Sequence, residues 1–108
     1  AVSQRIAGDP RGVLLVASSD LSHYLDAVDA AALDGVVLEQ VKAVDPEGLM
    51  GALEREPGHA CGGGPMVAIL HAARQLDASA ARILRYADSG DVSGDKSAVV
   101  GYMAAAIW

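Results

Sequence analysis

Apolar and polar positions change period several times along the chain. Residues 13–17 (VLLVA) form an unbroken apolar run, bounded by GDPRG on one side and SSD on the other. A run of that length between turn formers predicts a strand covered on both faces, as in a parallel α/β sheet. Ser18, Ser19 and Asp20 are all N-cap residue types and predict the start of a helix or helical turn. From Leu25 onward, Val28, Ala32, Val36, Gln40 and Val44 recur at helical spacing, and Leu33, Val37 and Val41 widen the stripe. Asp26, Asp29, Asp34, Glu39 and Lys42 fall mostly outside it. The pattern predicts an amphipathic helix to about Val44, with those charges on the solvent side.

Asp45-Pro46 predicts a restart, with aspartate as N-cap and proline at the first helical position. Leu49, Met50 and Leu53 supply the apolar face of that short helix. The stretch REPGHACGGGP reads as a loop, and Pro65 opens a third helix with Met66, Ile69, Leu70, Ala73 and Leu76 on one side. Residues 81–87 (ARILRYA) alternate as a strand does. DSGDVSGDKS is a polar loop of turn formers. Residues 98–108 predict a closing strand, with Gly101 as a bulge or a point of close approach. The resulting order, β-α-α-α-β-β, is that of an α/β sheet flanked by helices.

Composition narrows the partners. The 108 residues suit one small domain and carry a formal net charge of −6. No cluster of Lys and Arg is present, which argues against nucleic acid or an anionic membrane surface. No apolar run approaches the ~20 residues that span a bilayer. The single cysteine cannot form an internal disulfide, and a reduced, cytoplasmic setting is expected. The hydrophobic fraction is 52% but the aromatic fraction only 4%, so the core is built from Val, Leu, Ile, Ala and Met. Both termini read as cut from a longer chain.

Three groups of residues could carry chemistry. Asp20 and His23 stand at i, i+3 just after the first predicted strand, where a helical turn would put them on one face. Catalytic groups of open α/β folds collect at such strand ends. A carboxylate beside an imidazole fixes its tautomer, and a helix N-terminus would favour ionised Asp20 and neutral His23. The simpler reading is an aspartate cap and a partly exposed helical histidine. Cys61 lies shortly before the third helix, where partial positive charge lowers a thiol pKa, and His59 could pair with it in a thiol enzyme. A structural cysteine beside a flexible turn is the alternative. The loop lacks the Lys-Ser/Thr ending of a phosphate-binding loop. His71 reads as a structural histidine at the boundary of a helix face. Asp88, Asp91 and Asp95 read as a solvated turn, since their spacing is not that of a calcium loop. Tyr86 and Tyr102 read as core-edge residues.

Taken together, LLVASSDLSHY, CGGGPMVAIL and LRYADSGDVSGDKSAVVGYMAAA, with LD at Leu33-Asp34 and VDPEGL at residues 44–49, resemble the C-terminal half of the MEMO family. Its bacterial and archaeal members are also called AmmeMemoRadiSam system protein B. The resemblance covers nearly the whole chain. It implies that residues 1–108 are the C-terminal portion of a single α/β domain related to the class III extradiol dioxygenases. It further implies a metal such as iron or copper, held in the full-length parent by two histidines and a cysteine. The cysteine matches Cys61, and the aspartate and histidine lining the same cleft match Asp20 and His23. The two metal-binding histidines belong to the N-terminal half, which these residues do not match. By this resemblance the chain alone has an incomplete site and need hold no metal. It is expected to associate with the missing half or with itself through exposed sheet. The implied activity is that of a metal-dependent oxidoreductase. The alternative is an adaptor that binds a small molecule or peptide in the same cleft.

Overall fold

A computed structural model describes residue 8, residues 12–56 and residues 63–108. The element order is β1 (His23–Leu25), α1 (Ala27–Lys42), α2 (Pro46–Arg55), α3 (Gly63–Gln75), β2 (Ala81–Asp88), the one-turn α4 (Gly90–Ser93) and β3 (Val99–Ile107). The fold is α/β, and apart from the added turn of α4 the order is the expected one.

The first strand is displaced from its predicted place. Residues 13–17 carry no strand pairing, and Leu14 and Val16 are 85% and 77% exposed. A strand is defined by its ladder, and no described segment pairs with this run. The pairing begins downstream instead. Leu21 N–H donates to Gly101 O at 2.9 Å, and Gly101 N–H donates to Ser22 O at 3.0 Å. The sheet order is β1-β3-β2 and both pairings are antiparallel, so the parallel arrangement expected from the apolar run is not found among the described strands. The polar stretch between β2 and β3 is short enough for an antiparallel return.

Helix α1 starts later than predicted. Ser18, Ser19 and Asp20 precede an extended segment, and Asp26 is the cap: its carboxylate accepts from Asp29 N–H at 2.9 Å. Asp26 is held below the ordinary aspartate range mainly by that backbone hydrogen bond, and its charge in turn raises Asp29. Helix α2 begins as read from the sequence, with Asp45 accepting from Gly48 N–H at 2.9 Å and Pro46 in the first turn.

Helix α1 packs across β2 and β3, and α2 packs against α1 and α3. The buried cluster joins Leu21, Val37, Val41, Leu49, Met66, Val67 and Leu70. The buried face of α1 is Ala30, Asp34, Val37 and Val41, while Val28 is 79% exposed. The predicted stripe was therefore rotated: its Val37 and Val41 are core, but its edge at Val28 faces out and Asp34 faces in. No described helix is long and apolar enough to cross a membrane.

Candidate functional site

The extended segment after residue 17 delivers Asp20 and His23 to one place without any helical turn. His23 Nε2 lies 3.7 Å from Asp20 Oδ2, with the two side chains 34% and 50% exposed. The pair forms because β3 holds the backbone at Leu21 and Ser22, and His23 opens β1 opposite Val100. The helix that was to act on this pair begins at Ala27 behind its own cap, so the expected dipole effect is replaced by direct contact between carboxylate and imidazole. At 3.7 Å the contact is looser than a hydrogen bond.

Tyr24, next to His23, has φ 62°. A bulky residue in the left-handed region is an outlier that costs roughly 1–2 kcal/mol and persists only where surrounding structure imposes it. The β1–β3 register shifts between His23 and Leu25, so Tyr24 sits at a bulge.

Beneath this segment lies a polar cluster missed in the sequence. The Asp34 side chain is fully buried. Its Oδ1 accepts from Ser22 N–H at 2.9 Å and its Oδ2 accepts from the Tyr86 hydroxyl at 2.6 Å. Ser22 Oγ is buried beside it with no partner among the described residues. Burial first, then the hydrogen bond to Asp34 and the nearby charges of Asp34, Asp88 and Asp91, raise the Tyr86 pKa well above the ordinary tyrosine value. Gly101 lies directly under the carboxylate, and a Cβ there would overlap Asp34 Oδ2 and stand 2.9 Å from its Cγ. Gly101 is thus a point of close approach. The signal for Asp34 was its place four residues after Ala30 and three before Val37, on the apolar face; its charge disguised it.

The acidic stretch is exposed from residue 91 to residue 98, as a solvated turn would be, and is braced at its base on the more buried Asp88. Lys96 Nζ donates to Asp88 Oδ1 at 2.8 Å and to Asp91 Oδ1 at 2.7 Å, and Asp88 is mostly buried. Asp95 turns back to accept from Ser97. Tyr86 is half-buried as expected, whereas Tyr102 is 42% exposed. His71 is exposed on α3 and does not sit at a packed boundary. Cys61 and His59, the ligand and thiol-pair candidates, lie outside the described residues.

A metal needs about three protein ligands. Among the described residues no group of three His, Cys, Asp or Glu side chains is placed to hold one. Asp20 and His23 therefore do not make a metal centre by themselves. A sizeable concavity among the described residues lies elsewhere. It is an apolar groove of about 580 Å³ between residues 13–17, α3 and the end of β3. Ser19 and Leu21 line it, but Asp20 and His23 do not.

The family model described as Memo-like protein matches residues 2–106. A MEMO1 family protein of Methanosarcina mazei is 42% identical over 99 residues, covering 92% of this chain and 37% of that protein. One from Methanothermobacter thermautotrophicus is 39% identical over 102 residues, covering 94% of this chain and 37% of the relative. One from Thermotoga maritima is 39% identical over 108 residues, all of this chain and again 37% of the relative. The chain spans less than two-fifths of the length of these curated relatives. With this match over nearly its whole length, the chain belongs to the Memo-like protein family.

Proposed function

We propose that this chain contributes the proton-handling edge of a metal-dependent, dioxygenase-like oxidoreductase, with His23 as acid/base and Asp20 orienting it. The observation that carries this reading is the 3.7 Å approach of the Asp20 carboxylate to the half-buried His23 imidazole at the start of β1. A carboxylate that closes from there to hydrogen-bonding distance selects one imidazole tautomer and leaves the other ring nitrogen to give or take a proton. Cys61 is assigned as this chain's metal ligand, for iron or copper in the full-length protein, with the remaining ligands supplied from outside residues 1–108. A reducing, cytoplasmic setting suits a free thiol in that role.

The test uses a full-length Memo-like protein carrying this sequence. Cys61→Ser is expected to lower its iron or copper content. His23→Ala and Asp20→Asn are expected to leave metal content intact and to slow oxygen uptake with catechols by about 100-fold or more for the histidine. Unchanged metal in Cys61→Ser removes the ligand assignment. Unchanged turnover in His23→Ala removes the acid/base assignment.

The apolar groove favours a second reading, an adaptor that binds a small molecule or peptide without turnover. Its exposed Val13, Leu14 and Val16, in a run with no strand pairing, also offer a surface for the rest of a family domain or a second copy. Sedimentation of the 108-residue chain with and without the remaining portion of the protein separates these: self-association that disappears on adding that portion supports the shared surface.

A further inference from the structure

We infer that Asp34 is a positioning residue for His23: its buried carboxylate pins Ser22 and thereby sets the direction in which the next residue leaves the sheet. This rests on the reading of His23 as an acid/base group. Ser22 has its carbonyl bound by Gly101 N–H on the β3 side and its N–H bound by Asp34 on the α1 side. Both backbone hydrogen-bonding groups of the residue before His23 are therefore committed, to two different elements. On the other side of His23, Tyr24 is held at φ 62°, a conformation that a free chain would leave. The helix cap at Asp26 closes the segment two residues later. His23 thus stands between a clamped residue and a strained one, and the clamp acts from below through a side chain on another element.

Asp34 is itself fixed. Tyr86 on β2 satisfies the second carboxylate oxygen, and Gly101 leaves the space that the carboxylate occupies. A carboxylate held on both oxygens cannot swing away from Ser22, which is what a positioning group requires. Tyr86 and Asp34 make one unit, but only the Oδ1 side of that unit reaches the candidate site.

That asymmetry supplies the experiment. Asp34→Ala removes the carboxylate with both of its hydrogen bonds and Tyr86→Phe removes only the one at Oδ2, so only the first releases Ser22. In the full chain, amide exchange of Ser22 measured relative to Leu49, a core residue, is expected to quicken about tenfold or more in Asp34→Ala and to change less than about threefold in Tyr86→Phe. The ring resonances of His23 are expected to move in Asp34→Ala and to stay in Tyr86→Phe, with the exposed His71 unmoved in both. Asp34→Asn, which retains an acceptor for Ser22, is expected to restore the His23 resonances. A uniform quickening of all amides with His23 unmoved overturns the inference and leaves Asp34 as a fold residue only. Should Asp34→Ala not fold, the unaltered chain decides. Ser22 exchanging only with global unfolding supports the clamp, and exchange as fast as that of residues 13–17 overturns it. None of these readouts depends on turnover, so loss of the catalytic reading and loss of this one are separable.

Discussion

The Tyr86 hydroxyl donates a 2.6 Å hydrogen bond to Oδ2 of Asp34, across 52 residues of chain, and so ties the middle of α1 to β2. The tie sits over Gly101 and behind the segment that carries Asp20 and His23. A hydrogen bond to a buried charged group contributes about 1.5–3 kcal/mol net, and removing the donor alone leaves the charge under-solvated. Tyr86→Phe is therefore expected to lower unfolding free energy by about that amount, read from urea melts at neutral pH.

The same tyrosine makes stability sensitive to alkali. Its folded pKa lies above the ordinary 10.0, chiefly through burial and then through Asp34. Its proton is retained by the folded chain and lost first by the unfolded one. Its contribution is whole below about pH 10 and declines as pH rises from there toward the folded value. Melts taken on either side of about pH 10 are expected to show a steeper fall for the unaltered chain than for Tyr86→Phe.

Gly101 has its own consequence. A methyl group there meets the Asp34 carboxylate, which is fully buried and held on both oxygens, and stands 3.2 Å from the Tyr86 hydroxyl oxygen. Gly101→Ala is expected to destabilise the fold by about 1–3 kcal/mol by denaturant titration. The exposed Gly64, whose Cβ would meet nothing within 4 Å, is the matching control.

Lys96 neutralises two carboxylates. Its hydrogen bond is the main reason Asp91 is held below 3.8, and the bonds to Asp88 and Asp91 raise Lys96 above 10.5. The aspartate part of this stabilisation is present above the ordinary value and is lost as pH falls through the lowered one. The lysine part is present below 10.5 and is lost as pH rises through the raised one. Lys96→Met is expected to lower the thermal midpoint at neutral pH and to flatten both the acid and the alkaline limb, which melts across pH measure directly.

Asp77 ends α3 with φ 61°, as Ala78 N–H reaches back to Ala73 O at 2.9 Å. That left-handed cap is a glycine position, and Asp77 is exposed. Asp77→Gly is expected to raise stability by up to about 1 kcal/mol in the same titration.

Local chemistry alone determined much of the architecture. Asp45-Pro46 starts α2 because a side-chain acceptor and a fixed φ act within four residues. The alternation of residues 81–87 makes β2, and the order of elements follows from such short-range signals. The motifs also sufficed to place the chain in its family. What the tertiary structure decided is where pairing and charge are satisfied across distance. Residues 13–17 have strand composition, yet a ladder needs a second strand, and β3 reaches the chain only from residue 21 onward. Asp34 has the composition of a solvent face, yet Ser22, Tyr86 and Gly101 meet it from three other places in the sequence and make burial of its carboxylate tolerable. A carboxylate's partners lie in space, and periodicity along one helix carries no record of them.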